Sequence, residues 1–166
     1  MSHHRSPEDV TRPIFFPDEY PAAGLHVSKT KAQMSMVAGD FSECYSAPED
    51  AQTFSVVVTV FFLDTAANVL KYIETIHHVL EQGGIWINIG PLAWHFEPDI
   101  STSSTRAGGS VELTLTELLS VIGKMGFTIE TEGELARKSV RCAYMGNSQG
   151  MLNYIYDAEF FVVRKT

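Results

Sequence analysis

The stretch from Val56 to Leu63 constrains the fold more than any other part of the chain. Val56, Val57, Val58, Val60, Phe61, Phe62 and Leu63 form a nearly unbroken apolar run. A β-branched run without polar alternation is the pattern of a parallel-sheet strand covered on both faces. Asp64 and Thr65 end it, and either residue type can cap a following helix. Val69, Leu70, Ile73, Ile76 and Leu80 then recur at helical spacing, and Gly83-Gly84 predicts the helix end. Ile85 to Ile89 reads as the next strand, closed by Gly90-Pro91. Strand, helix and strand in this order make a βαβ unit.

The flanking segments extend that unit. Residues 1–32 lack sustained periodicity and hold four of the seven prolines, which predicts an arm or loop over 1–33 and a folded body over 34–166. Met34 to Ala38 reads as a short strand before the turn Gly39-Asp40-Phe41. Glu97 to Ser110 is a Ser-, Thr- and Gly-rich loop. Leu115, Leu118, Leu119, Ile122 and Met125 mark a second helix, with Thr114 or Thr116 as N-cap and Gly126 at its end. Phe127 to Glu132 and Leu152 to Lys165 read as strands, and their closeness after a helix suggests an antiparallel hairpin on the sheet edge. The fold class is α/β.

Charge and composition narrow the partners. Hydrophobic content of 45% and a net charge of -8 fit a globular chain whose partner is a small molecule. A nucleic-acid surface needs clustered Lys and Arg and is not expected. No apolar run approaches the ~18 residues of a membrane helix, so no membrane association is expected. The two cysteines, Cys44 and Cys142, make neither a disulfide framework nor a zinc spacing, and a reducing compartment, cytosol or nucleus, follows. No metal motif, P-loop or nucleophile elbow is present, so no metal is implied.

Ligands of parallel α/β sheets sit beyond the C-terminal strand ends. Asp40, Asp64 and the segment Gly90 to His95 fall there. Each has a plainer reading: Gly39-Asp40 as ordinary turn chemistry, Asp64 as a helix cap, His95 as a structural hydrogen-bonder between Trp94 and Phe96. Tyr154 and Tyr156 share one strand face, as core aromatics or as flat walls with polar tips.

Taken together, these stretches resemble the carnosine N-methyltransferase family. The resemblance is carried by Arg12-Pro13-Ile14-Phe15-Phe16-Pro17-Asp18, Ser35-Met36-Val37-Ala38-Gly39-Asp40-Phe41 and Phe61-Phe62-Leu63-Asp64-Thr65-Ala66. It continues through Gly83-Gly84-Ile85-Trp86-Ile87-Asn88-Ile89-Gly90-Pro91-Leu92, Trp94-His95-Phe96, Tyr154-Ile155-Tyr156 and Phe161-Val162-Val163-Arg164-Lys165. Order and spacing agree from about His4 onward. The resemblance implies a Rossmann-like class I methyltransferase sheet, mostly parallel with an antiparallel C-terminal hairpin. It implies methyl transfer from S-adenosylmethionine to an imidazole nitrogen of carnosine, giving anserine. By the same resemblance Asp40 and Phe41 match the cofactor-binding pair, and Asp64 matches the catalytic aspartate that holds the substrate imidazole. His95, Tyr144, Tyr154 and Tyr156 match residues that line the substrate pocket.

The chain departs from that pattern in one large respect. The family's upstream glycine-rich loop and first two strands have no counterpart, so a fragment inactive alone is expected, with no measurable S-adenosylmethionine binding. Bare strand edges would follow, and a homodimer is allowed for. Two alternatives stay open: a non-catalytic binding module that retains the pocket or completes a partner chain, and another α/β enzyme such as a nucleotide-dependent oxidoreductase. The missing dinucleotide fingerprint counts against the last.

Overall fold

The computed structural model describes residues 3–18, 34–94, 110–144, 146–147 and 150–166. It divides into two compact units, Met1–Gly39 with Met145–Tyr154, and Asp40–Tyr144 with Ile155–Thr166.

The larger unit is built on the βαβ motif. Strand β1 (Phe54–Val60) leads through a tight turn at Leu63–Thr65 into a helix at Val69–Val79, followed by β2 (Leu80–Gly90). β1 and β2 pair in parallel, Val56 with Ile85 through Val60 with Ile89. The helix is capped by Asn68, whose side chain accepts from the Leu70 N–H at 3.0 Å, and not by Asp64 or Thr65. It also stops earlier than expected, since Leu80 is already extended and begins β2. Gly83-Gly84 therefore lies inside the strand. There Gly83 takes φ +77, and the ladder shifts register between Phe54 and Val56, which is bulge chemistry that suits glycine.

A second helix at Leu115–Lys124 starts on a capping box, in which Thr114 and Glu117 each bond the other's backbone N–H. Short β3 (Phe127–Ile129) and β4 (Lys138–Tyr144) follow, and long β5 (Tyr154–Lys165) ends the chain's strands. The sheet order is β1-β2-β5-β3, with β4 also paired to β5. β5 runs antiparallel to both β2 and β3. The α/β class and the antiparallel C-terminal strands agree with the sequence reading. The sheet is mixed rather than mostly parallel, because β2 and β3 both use antiparallel β5 as their neighbour. Met34 to Ala38, expected as a strand, has no regular secondary structure.

Both helices cover one face of the sheet. Val69, Ile73 and Ile76 from one, and Leu118 and Ile122 from the other, pack with Trp86, Phe127, Phe161 and Val163. A buried polar ladder crosses this core. Trp86 Nε1–H donates to Thr59 Oγ1 at 2.8 Å, and Thr59 Oγ1 donates to Asn88 Oδ1 at 2.8 Å. Asn88 Nδ2 donates to the Glu159 carbonyl at 3.3 Å. The ladder ties β1, β2 and β5 together at one level. The opposite face departs from the expectation of a strand covered on both sides: Val56, Val58 and Val60 are 45%, 59% and 59% exposed.

The chain end locks the first of these helices. Lys165 is buried, and its Nζ donates to the carbonyls of His77 and Leu80, both at 2.7 Å. These carbonyls lie at the helix end, where intrahelical donors run out. Burial lowers the Lys165 pKa, and it also lowers that of His77, with the nearby Lys165 charge adding to the effect. Lys165→Met keeps the volume but orphans both carbonyls, so it is expected to cost about 2–4 kcal/mol in urea denaturation. A loss under about 0.5 kcal/mol would show that the ammonium is not what holds that helix end.

Candidate functional site

Asp64 reaches its place through a strained turn. At the end of β1, Phe61 takes φ +49, a left-handed conformation that costs of order 1–3 kcal/mol for a side-chain-bearing residue. Its N–H still donates to the Ile89 carbonyl at 2.8 Å. Gly90 makes this close approach feasible, because a Cβ there would lie 3.1 Å from both Cα and N of Phe61. The chain thus leaves the sheet abruptly, and the Leu63–Thr65 turn sets Asp64 inside.

Asp64 is only 5% exposed. Its Oδ2 accepts from the Ala93 N–H at 3.0 Å, which joins the turn after β1 to the segment after β2. Among the described residues no group donates to its other oxygen, Oδ1. This is a buried carboxylate at a parallel strand end with one oxygen held by backbone and the other left for a donor.

Two aromatic groups flank that turn. Tyr156 on β5 meets the Phe61 ring edge-on at 5.8 Å and Tyr144 on β4 at 5.7 Å. On the other side, Phe41 meets Phe62 at 5.4 Å and Tyr72 at 5.5 Å, while Phe62 stacks on Tyr72 at 4.8 Å. Phe41 opens the short helix Phe41–Cys44, for which Asp40 is the N-cap. Asp40 Oδ1 accepts from the Ser42 N–H at 2.9 Å and from its hydroxyl at 2.6 Å.

The structure thus brings Tyr144 and Tyr156 together beside Phe61, and Phe41 beside Phe62, in the residues just before Asp64. Tyr154 belongs to the smaller unit and is exposed. His95 lies outside the described residues. An open cleft of about 580 Å³ lies past the end of β2, lined by Gly90, Trp94, Glu112, Asp157 and Glu159 among others. Neither Asp64 nor the tyrosines are among its described lining residues. Sequence reasoning missed Phe61. In an apolar run nothing marks a left-handed residue, and the only hint was Gly90-Pro91 at the facing strand end.

Residues 1–166 match the model of the carnosine N-methyltransferase family over their whole length. The chain belongs to that family. A carnosine N-methyltransferase of Schizosaccharomyces pombe is 40% identical over 99% of this chain and 43% of its own length. One from Rattus norvegicus is 42% identical over 99% of this chain and 37% of its own length. The chain therefore spans about two fifths of the length of these relatives. A solved Listeria monocytogenes chain, assigned as an S-adenosylmethionine-dependent methyltransferase, overlays at a TM-score of 0.44. That overlay has 13% identity and covers 70% of this chain and 63% of the other.

Proposed function

We propose that this family member carries the imidazole-orienting part of a site that methylates carnosine to anserine, with S-adenosylmethionine as methyl donor. The observation that carries the reading is Asp64: a buried carboxylate, one oxygen tied to the Ala93 N–H, the other without a donor among the described residues. The reading also draws on the family to which the chain belongs.

The chemistry follows from the substrate. Imidazole has a pKa near ~6.5, so at neutral pH it is mostly uncharged, with one N–H and one lone pair. Asp64 accepts that N–H, fixes the tautomer and aims the lone pair of the second nitrogen outward. Tyr144 and Tyr156 supply aromatic walls with hydroxyl tips, suited to a small polar ring. Positioning of this kind is worth several kcal/mol of barrier.

The described residues fit the adenosine end of the donor. The Phe41 ring is half-buried and able to cover a base, and Asp40 stands one residue before it at a helix start. When bound, S-adenosylmethionine supplies an electrophilic methyl group. Asp64 and the tyrosines do the remaining work, which is to bind and orient the acceptor ring.

Titration of carnosine into the isotopically labelled chain tests the acceptor half. The Ala93 amide and the Tyr156 ring resonances are expected to shift together and saturate. An Ala93 amide that stays in place while carnosine binds would remove Asp64 from the site.

A further inference from the structure

The Ala93 N–H that holds Asp64 sits on a segment with no ladder of its own. β2 ends at Gly90, and residues 91–94 have no regular secondary structure. Trp94 supplies a tie there. Its half-buried indole packs against the core, and its Nε1–H donates to the Leu113 carbonyl at 3.1 Å. Leu113 directly precedes Thr114, the N-cap whose box with Glu117 fixes the start of the second helix. The same short stretch also reaches the turn that carries Asp64. The Val111 N–H donates to the Ala67 carbonyl at 3.0 Å, and Val111 bridges Asn68 in parallel. Residues 111–113 therefore hold both sides of the carboxylate: the turn on which it sits and the segment that donates to it. Three hydrogen bonds close this ring, Ala93 to Asp64, Trp94 to Leu113 and Val111 to Ala67. Every member lies within the larger unit.

We propose that Trp94 is a positioning residue for the methyl acceptor: its indole N–H fixes the Ala93 amide, and that amide sets the direction in which the second oxygen of Asp64 faces. The proposal rests on the reading of Asp64 as the group that orients the imidazole. A carboxylate held through one oxygen aims the other only as well as its donor is placed. Such errors are costly when a lone pair must point along one line. Packing alone would not call for tryptophan here. Phenylalanine fills much of the same space but brings no donor for the Leu113 carbonyl.

Trp94→Phe tests the tie, because it keeps an aromatic ring and removes only the N–H. Hydrogen exchange is read in the 166-residue chain. The Ala93 amide is expected to exchange about fivefold faster in the variant. The Phe61 amide, which donates to the Ile89 carbonyl at the neighbouring strand end, is expected to stay within about twofold. An unchanged Ala93 amide would show that it is held without the indole. An equal rise at Phe61 would show that the whole unit has loosened. Either result overturns the tie.

Bound carnosine reads the aim. In the unsubstituted chain, the two imidazole nitrogens of isotopically labelled carnosine are expected to give well-separated resonances, one protonated and one bare, because Asp64 selects one tautomer. At saturating carnosine, Trp94→Phe is expected to shrink that separation by about a third, as the second tautomer returns. A separation equal to that of the unsubstituted chain would overturn the positioning role, since a merely structural tryptophan leaves the tautomer untouched. Nitrogens averaged as in water in the unsubstituted chain would instead overturn the reading of Asp64, and the positioning role with it.

Discussion

Replacing Asp64 with Asn is expected to lower kcat/KM for carnosine about 10³-fold. The assay uses a chimera in which these 166 residues replace the matching region of the Schizosaccharomyces pombe relative. The substitution is nearly isosteric, and an amide oxygen can still accept from the Ala93 N–H that now bonds Oδ2 at 3.0 Å. The turn after β1 should therefore persist. What changes is the group presented by the other oxygen. An amide NH₂ there donates where the proposed function has the carboxylate accept, so it is expected to favour the wrong imidazole tautomer and point the lone pair inward. The loss should appear in kcat with little change in folding, as judged by circular dichroism. Asp64→Ala should be as inactive and also less stable, because it leaves the Ala93 N–H without its partner. Retention of more than about a tenth of the activity by Asp64→Asn would reduce this carboxylate to a structural tie.

The largest expected loss of stability comes from Trp86→Ala, at about 3–5 kcal/mol. Trp86 is fully buried, and its ring meets Phe161 at 5.3 Å and Phe127 at 5.7 Å, both near edge-on. Truncation opens a cavity between both helices and the sheet. It also removes the donor to Thr59, the head of the ladder that ties β1 to β2 and β5. A domain with typical net stability loses much or all of its margin at that cost. Trp86→Phe separates the two contributions, since it keeps most of the packing and removes only the indole N–H. It is expected to cost about 1–2 kcal/mol. Urea denaturation of the three proteins gives both differences, and a Trp86→Ala cost below about 1 kcal/mol would mean that the core repacks around the gap.

The two predictions probe different levels of organisation. The Trp86 ladder sets the level of the strand ends, since Thr59 stands only two residues before the strained Phe61. Asp64 is placed by that strand end and by the loop after β2. A milder change at Thr59 or Asn88 should thus loosen the site before it unfolds the domain.

Much of this molecule was written locally. The run from Val56 to Leu63, the helical spacing from Val69 to Ile76, the Thr114–Glu117 capping box and the final apolar strand all arise from neighbours within a few residues. Hydrophobic period and cap chemistry report such neighbours directly, and motif order was enough to assign the family. What lay between distant residues was not legible. Gly83-Gly84 serves equally to end a helix or bulge a strand, and only pairing with β1 decided the second. The mixed sheet depended on where β5 inserted. The left-handed Phe61, the Asp64 bond to Ala93, the Lys165 lock on the helix end and the Trp94 bond to Leu113 all require chain segments to meet in space. A residue's type states which bonds it is able to make, but packing alone determines which partner arrives and which oxygen is left over.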